Sequence, residues 1–227
     1  EKVKIAIVSK AVIPDLALID PVVTTTMGPY LTACTGMDAL THAIEAFVST
    51  GRSMITDIHA LEAIRILSRH LLDAVKRPDD LDLRSKIMYG SLEAGLAFSN
   101  AMLGAVHAMA HSLGGLLDLP HGECNSLLLD HTMAFNFSAT AGRFEAIGEA
   151  MGLDLRGMST VDKRKALMLH VNDFRKSIGI SKTLGQLGVR TSDIPGLAQK
   201  AIKDVCIYTN PRKATQRDIE VVYEEAL

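Results

Sequence analysis

The chain has 227 residues, 48% of them hydrophobic and 22% charged, which supports one large core or two modest ones and excludes an intrinsically disordered chain. Its 24 Lys and Arg nearly balance 26 Asp and Glu, for a formal charge of −2, which speaks against a nucleic-acid footprint or an anionic-membrane surface and for a small-molecule partner. Cys34, Cys124 and Cys206 are odd in number, far apart and without a CxxC spacing, which speaks against a disulfide framework and for a reducing, cytoplasmic compartment.

The opening EKVKIAIVSK has an apolar run of only Ile5 to Val8, too short and too closely flanked by charge to read as a signal peptide. KIAIVS and LALID are short aliphatic runs with Pro14 between them and Pro21 closing the second. They read as strands or extended segments that form a hairpin-like connector over residues 1–25. After TTTMGPY, Pro29 suits the first turn of a helix carrying Leu31, Leu40, Ile44 and Phe47, which should run to about Ser49. Ile58, Leu61, Ile64, Leu67 and Leu71 repeat the helical period over Ile55 to Val75, and KRPDD ends that helix. Another helix is predicted from Leu81 to about Ser99.

Ala101 to Leu117 is nearly free of charge and approaches the length of a membrane span. Two histidines, several Gly and Ser and no basic flank make it a helix buried inside protein instead. Later helices are predicted over Gly142–Met151, Val161–Ile178, Ile194–Val205 and Ile219–Leu227, the last opened by Thr215 and Asp218 in capping-box spacing. Many helices, few strands and no internal repeat define an all-α, multi-helical bundle.

Histidines concentrate in the segment GAVHAMAHSLGGLLDLPHGECN. His107 and His111 are four apart on one predicted helix and project from the same face. His121 follows a break at LDLP, where Pro120 and Gly122 are read as a turn that returns the chain beside the helix end. On the earlier helix GMDALTHAIEAF, Asp38 and His42 repeat the four-residue spacing, which puts a carboxylate and an imidazole on a shared face. Taken singly, a buried His is more often a hydrogen-bonded core residue, and Glu45 on the same helix reads as a solvated or paired carboxylate. Burying an aspartate and several imidazoles together among Ala, Gly, Leu and Met costs several kcal/mol per unpaired charge, which a divalent cation offsets. One carboxylate oxygen with three imidazole nitrogens suits Fe(II), Zn(II), Co(II) or Ni(II) and is poor for Ca²⁺ or Mg²⁺.

GMDALTHAIEAF, GLAFSNAMLGAVHAMAHSLGG, LPHGECNSLLL and TNPRKATQRDIEVVYEEAL closely resemble the iron-containing (group III) alcohol dehydrogenases, in the branch that includes lactaldehyde reductase and 1,3-propanediol dehydrogenase. The resemblance runs from about Pro21 to the last residue. It implies a dehydroquinate synthase-like helical domain over residues 26–227, holding Fe(II), with Zn(II) as the alternative, on Asp38, His42, His107 and His121. His111 matches a family histidine that faces the nicotinamide and aids proton transfer, and Phe98, Leu103 and Cys206 match positions lining the substrate pocket. Two relatives, glycerol dehydrogenase and dehydroquinate synthase, use three protein ligands and lack a counterpart of His42, which favours the alcohol dehydrogenase branch.

Family members begin with a dinucleotide-binding domain whose glycine-rich loop holds the pyrophosphate. This chain has no GxGxxG, so residues 1–25 read as the remnant of that domain, and NAD or NADP is expected to bind outside the chain. The resemblance implies an oxidoreductase that interconverts a primary alcohol or diol with its aldehyde, with a homodimer as a candidate assembly. Two other readings compete: a non-enzymatic metal-binding or oligomerising module, and a metal hydrolase using Glu45 as its acid or base.

Overall fold

The structure is a computed structural model that describes residues 9–227. The predicted strand KIAIVS lies, apart from Ser9, outside the described residues. The second run, LALID, read as a strand or an extended segment, does not form the strand: residues 13–20 have irregular backbone between single 3-10 turns at Lys10–Val12 and Pro21–Thr24. Asp20 starts the second of these turns by accepting a hydrogen bond from the Val22 amide at 2.9 Å. Strand pairing needs a partner row of donors and acceptors, and no strand occurs among the described residues.

Nine α-helices follow among the described residues: α1 Pro29–Val48, α2 Met54–Lys76, α3 Leu81–Ala101, α4 Ala105–Leu117, α5 His121–Asn136, α6 Ala141–Ala150, α7 Thr160–Ser177, α8 Ile194–Ala201 and α9 Gln216–Glu225. The chain is the all-α bundle its periodicity predicts. α1 is buried on nearly every side, because it is packed by α2, α3 and α5 at once. Short loops join α1 to α2 and α2 to α3, which sets consecutive helices side by side. Met37, Leu40 and Ile44 of α1 meet a core that includes Ile64, Leu67 and Leu71 of α2, Met109 and Leu113 of α4 and Leu128 of α5. Each such side chain contributes roughly 1.5–3 kcal/mol by leaving water. Tyr223 of α9 reaches this core and keeps its hydroxyl satisfied by donating to the Met109 carbonyl at 2.7 Å.

Two expectations need correction. Pro120 and Gly122 do not together form a turn: the reversal is made by Asp118 in the left-handed region, φ 56°, and α5 begins at His121 with Gly122 inside it. Gly122 is required there by close approach, since a Cβ would sit 1.9 Å from the Cys34 carbonyl oxygen of α1. The helix predicted over Ile194–Val205 ends at Ala201, because Asp204 turns to cap a 3-10 turn at Val205–Thr209, its Oδ1 accepting from the Cys206 amide at 2.8 Å. The Thr215–Asp218 capping box is present and starts α9 at Gln216. No helix among the described residues is long and apolar enough to cross a membrane.

Candidate metal centre

The amino end of α4 is where the site is assembled. Its first amides have no partners within the helix and turn to other elements: Ala105 N donates to Asn210 Oδ1 at 3.1 Å, and Val106 N to Glu45 Oε1 at 2.7 Å. Gly104 permits this, since a Cβ there would lie 2.8 Å from Glu45 Oε1 and 2.9 Å from Asn210 Oδ1. The negative charge of Glu45 thus sits at the positive end of the helix, and its second oxygen lies 2.6 Å from His107 Nδ1. Paired with a carboxylate through Nδ1, His107 is oriented so that Nε2 is its remaining coordinating atom.

Asp38 from α1, His107 from α4 and His121 at the start of α5 offer ligand atoms that all lie within 4.8 Å of one another. Asp38 Oδ1 is 3.6 Å from His107 Nε2 and 3.8 Å from His121 Nε2. Two ligands of one tetrahedral cation stand roughly 3.3 Å apart, given metal–nitrogen bonds of about 2.0–2.1 Å, so this set is slightly open for such an ion. His42 is not in this cluster of ligand atoms but lies against it, its ring stacked on His107 with centroids 4.5 Å apart and on Phe98 at 4.3 Å.

The amide of Asn125 tests whether a cation fits. Its Nδ2 lies 2.5 Å from Asp38 Oδ1, 3.1 Å from His107 Nε2 and 3.2 Å from His121 Nε2. An amide nitrogen has two protons and can serve at most two of these three atoms, so the third must find a proton or a cation elsewhere. Its Oδ1, meanwhile, is buried with no hydrogen-bond partner among the described residues. Three electron-rich atoms converging on one under-supplied donor is a donor set matched to a cation.

The electrostatics agree. Burial alone would raise the Asp38 carboxyl, but the hydrogen bond with His107 and the imidazoles around it hold it below the usual carboxylate range. Burial also opposes a charge on His107, yet hydrogen bonding to Asp38 and Glu45 raises it to about 9. Burial, then the charge of His107, lowers His42 to about 3, leaving that ring neutral. Without a cation that third demand is met by a proton on His107, which a bound cation would displace.

Phe98, Leu103 and Cys206 meet in one small apolar cluster with Ala108 and Ile207. Through the Phe98–His42 stack this cluster adjoins the donor set. His111 stacks on His121 with centroids 5.1 Å apart, and its Nδ1 lies 2.8 Å from Asp204 Oδ2. Three residues of the site escaped sequence reasoning: Asn125, Asp204 and the full role of Glu45. Glu45 is paired, as one of its readings held, but it is buried at 3% exposure rather than solvated. The spacing from Asp38 through His42 to Glu45 kept one helical face and was the available signal; Asn125 and Asp204 carried none.

Residues 32–227 match the Fe-containing alcohol dehydrogenase family, C-terminal. The chain is 42% identical to 1,3-propanediol dehydrogenase of Klebsiella pneumoniae over 225 residues, covering 99% of this chain and 58% of that protein. It is 41% identical to lactaldehyde reductase of Escherichia coli (strain K12) over 214 residues, covering 94% of this chain and 56% of that one. The crystal structure of a 1,3-propanediol oxidoreductase superposes with a TM-score of 0.89 at 42% identity, over 92% of this chain and 55% of its own. The chain belongs to the iron-containing alcohol dehydrogenase family and spans somewhat over half the length of these relatives.

Proposed function

We propose that this chain is the catalytic-metal part of an oxidoreductase that interconverts a primary alcohol or diol and its aldehyde with NAD or NADP. In this reading residues 26–227 are the metal domain, residues 1–25 are the end of a nucleotide-binding domain, and the nicotinamide site lies outside the chain. Asp38, His42, His107 and His121 hold Fe(II), with Zn(II) as the alternative. The observation that carries the reading is the convergence of Asp38, His107 and His121 on the Asn125 amide, with Glu45 paired to the far nitrogen of His107. A divalent cation bound there supplies Lewis-acid polarisation of the alcohol or aldehyde oxygen.

The protein's own groups do the rest. Glu45 holds the His107 ring so that Nε2 presents its lone pair, and the stack of His42 between Phe98 and His107 fixes a third imidazole beside it. Phe98, Leu103 and Cys206 provide an apolar wall that keeps water from the reacting carbon. His111 passes the proton between the substrate oxygen and solvent. A hydrolytic reading is less well supported, because Glu45 is committed through both oxygens to Val106, His107 and the α4 end.

The test is metal content of the chain purified anaerobically without a chelating tag. About one equivalent of iron or zinc, lost in His107→Ala and His121→Ala, supports the site. A wild-type chain that takes up neither Fe(II) nor Zn(II) when they are added counts against it. Turnover of an alcohol is then sought after the chain is joined to a family nucleotide-binding domain. A chain that binds metal and still shows no turnover there is a metal-binding module only.

A further inference from the structure

A second cluster of titratable groups, His111, Asp204 and Cys206, offers ligand atoms within 4.8 Å of one another beside the proposed metal site. Its geometry is that of a hydrogen bond rather than a second cation site. His111 Nδ1 and Asp204 Oδ2 are 2.8 Å apart, closer than the roughly 3.3 Å of two ligands sharing one tetrahedral ion. The Cys206 thiol is buried, and burial together with the Asp204 charge pushes its pKa up, so it stays protonated and offers no thiolate.

Asp204 is itself held in place. Its Oδ1 accepts from the Cys206 amide at 2.8 Å, at the start of the Val205–Thr209 turn, which leaves Oδ2 directed at His111. We propose that Asp204 is a positioning residue that fixes the tautomer of His111, keeping the proton on Nδ1 and leaving Nε2 as the lone-pair nitrogen. The reason is donor–acceptor logic: an ionised carboxylate only accepts, so the ring must donate through Nδ1. Burial alone would raise the Asp204 carboxyl, but its hydrogen bonds with His111 and the Cys206 amide lower it, consistent with an ionised group.

Two consequences follow for the reading of His111 as the proton-transfer residue, on which the functional meaning of this inference rests. His111 cannot ligate through Nδ1, although it stands one turn from His107 on the same face of α4. Its Nε2 is a ready proton acceptor, the form a base must have to take a proton from an alcohol.

The experiment uses the metal-free full chain labelled with ¹⁵N-histidine, at a pH where free imidazole is neutral. Long-range ¹H–¹⁵N correlations report which ring nitrogen carries the proton, and the His111→Gln variant assigns the signals. The expected result is Nδ1–H for His111 in the wild type. Asp204→Asn keeps the cap through its amide oxygen, but turns a donor toward Nδ1, so the ring must invert to Nε2–H. Asp204→Glu keeps an acceptor-only carboxylate and retains Nδ1–H. Signals of the distant His59, His70 and His170 check that each variant folds. An Nε2–H His111 in the wild type overturns the proposal, as does a tautomer that a folded Asp204→Asn leaves unchanged. If Asp204→Asn fails to fold, the wild-type tautomer alone decides. None of these readouts depends on metal or turnover, so their failure is distinguishable from failure of the dehydrogenase reading.

Discussion

His107 Nδ1 lies 2.6 Å from Glu45 Oε2, and the two side chains are only 1% and 4% exposed. The same carboxylate accepts from the Val106 and His107 amides in the first turn of α4, so one residue of α1 both caps a helix and sets the direction of an imidazole. Glu45→Gln preserves shape but places an amide donor beside Nδ1, which drives the His107 proton to Nε2 and blocks the lone pair. Cation affinity should fall about 10- to 100-fold, the usual effect of losing such a partner. Competition against a chromophoric chelator measures it, and unchanged affinity would remove Glu45 from the site.

Gly122 lets α5 touch α1 between Asp38 and His121. A Cβ there would meet the Cys34 carbonyl at 1.9 Å and Asp38 Cβ at 3.0 Å, contacts relieved only by moving the helices apart. Gly122→Ala should cost about 1–3 kcal/mol in urea denaturation. It should also weaken cation binding, because Asp38 and His121 sit on the two helices that separate. A variant as stable as the wild type that binds metal equally well would show that the contact yields easily.

Leu67 is fully buried in the α1–α2–α3 core, away from the donor set. Leu67→Ala should lower stability by ~2–5 kcal/mol through lost burial and a residual cavity. Metal stoichiometry below the melting temperature should stay the same. A loss of metal from the folded variant would mean that core packing and ligand geometry are coupled.

Cys34 offers a pH prediction. Burial, and next the neighbouring Glu123 charge, push its thiol from 9.0 up to about 11. The folded-state value is raised, so the stability contributed by keeping the thiol protonated is intact below about pH 9. It is lost as pH climbs toward about 11, where the unfolded chain already carries the thiolate. The wild type should therefore lose stability relative to Cys34→Ala between those values, in urea melts at matched pH. Parallel curves across that window would contradict it.

Most of the helical frame was legible in one dimension. α1 to α3 follow their apolar period within one or two residues, and the Thr215–Asp218 box opens α9 as read. α5 was not foreseen as a helix, because Cys124 to Leu129 is buried on every side and shows no amphipathic stripe. α8 stops short of its apolar run, because a local side-chain cap at Asp204 outcompetes continuation of the helix.

For the site, the sequence by itself determined which imidazoles and which carboxylate share a helical face, since that follows from 3.6 residues per turn. It also marked Asp38, His42, His107, His111 and His121 as a group worth explaining. Only the tertiary structure decided what stands behind them: Glu45 on His107 at 62 residues' separation, Asn125 on Asp38 at 87, and Asp204 on His111 at 93. Such partners are chosen by the crossing of helices and by the need of each buried polar group for a hydrogen bond. Neither leaves a period in the chain, and so neither can be read along it.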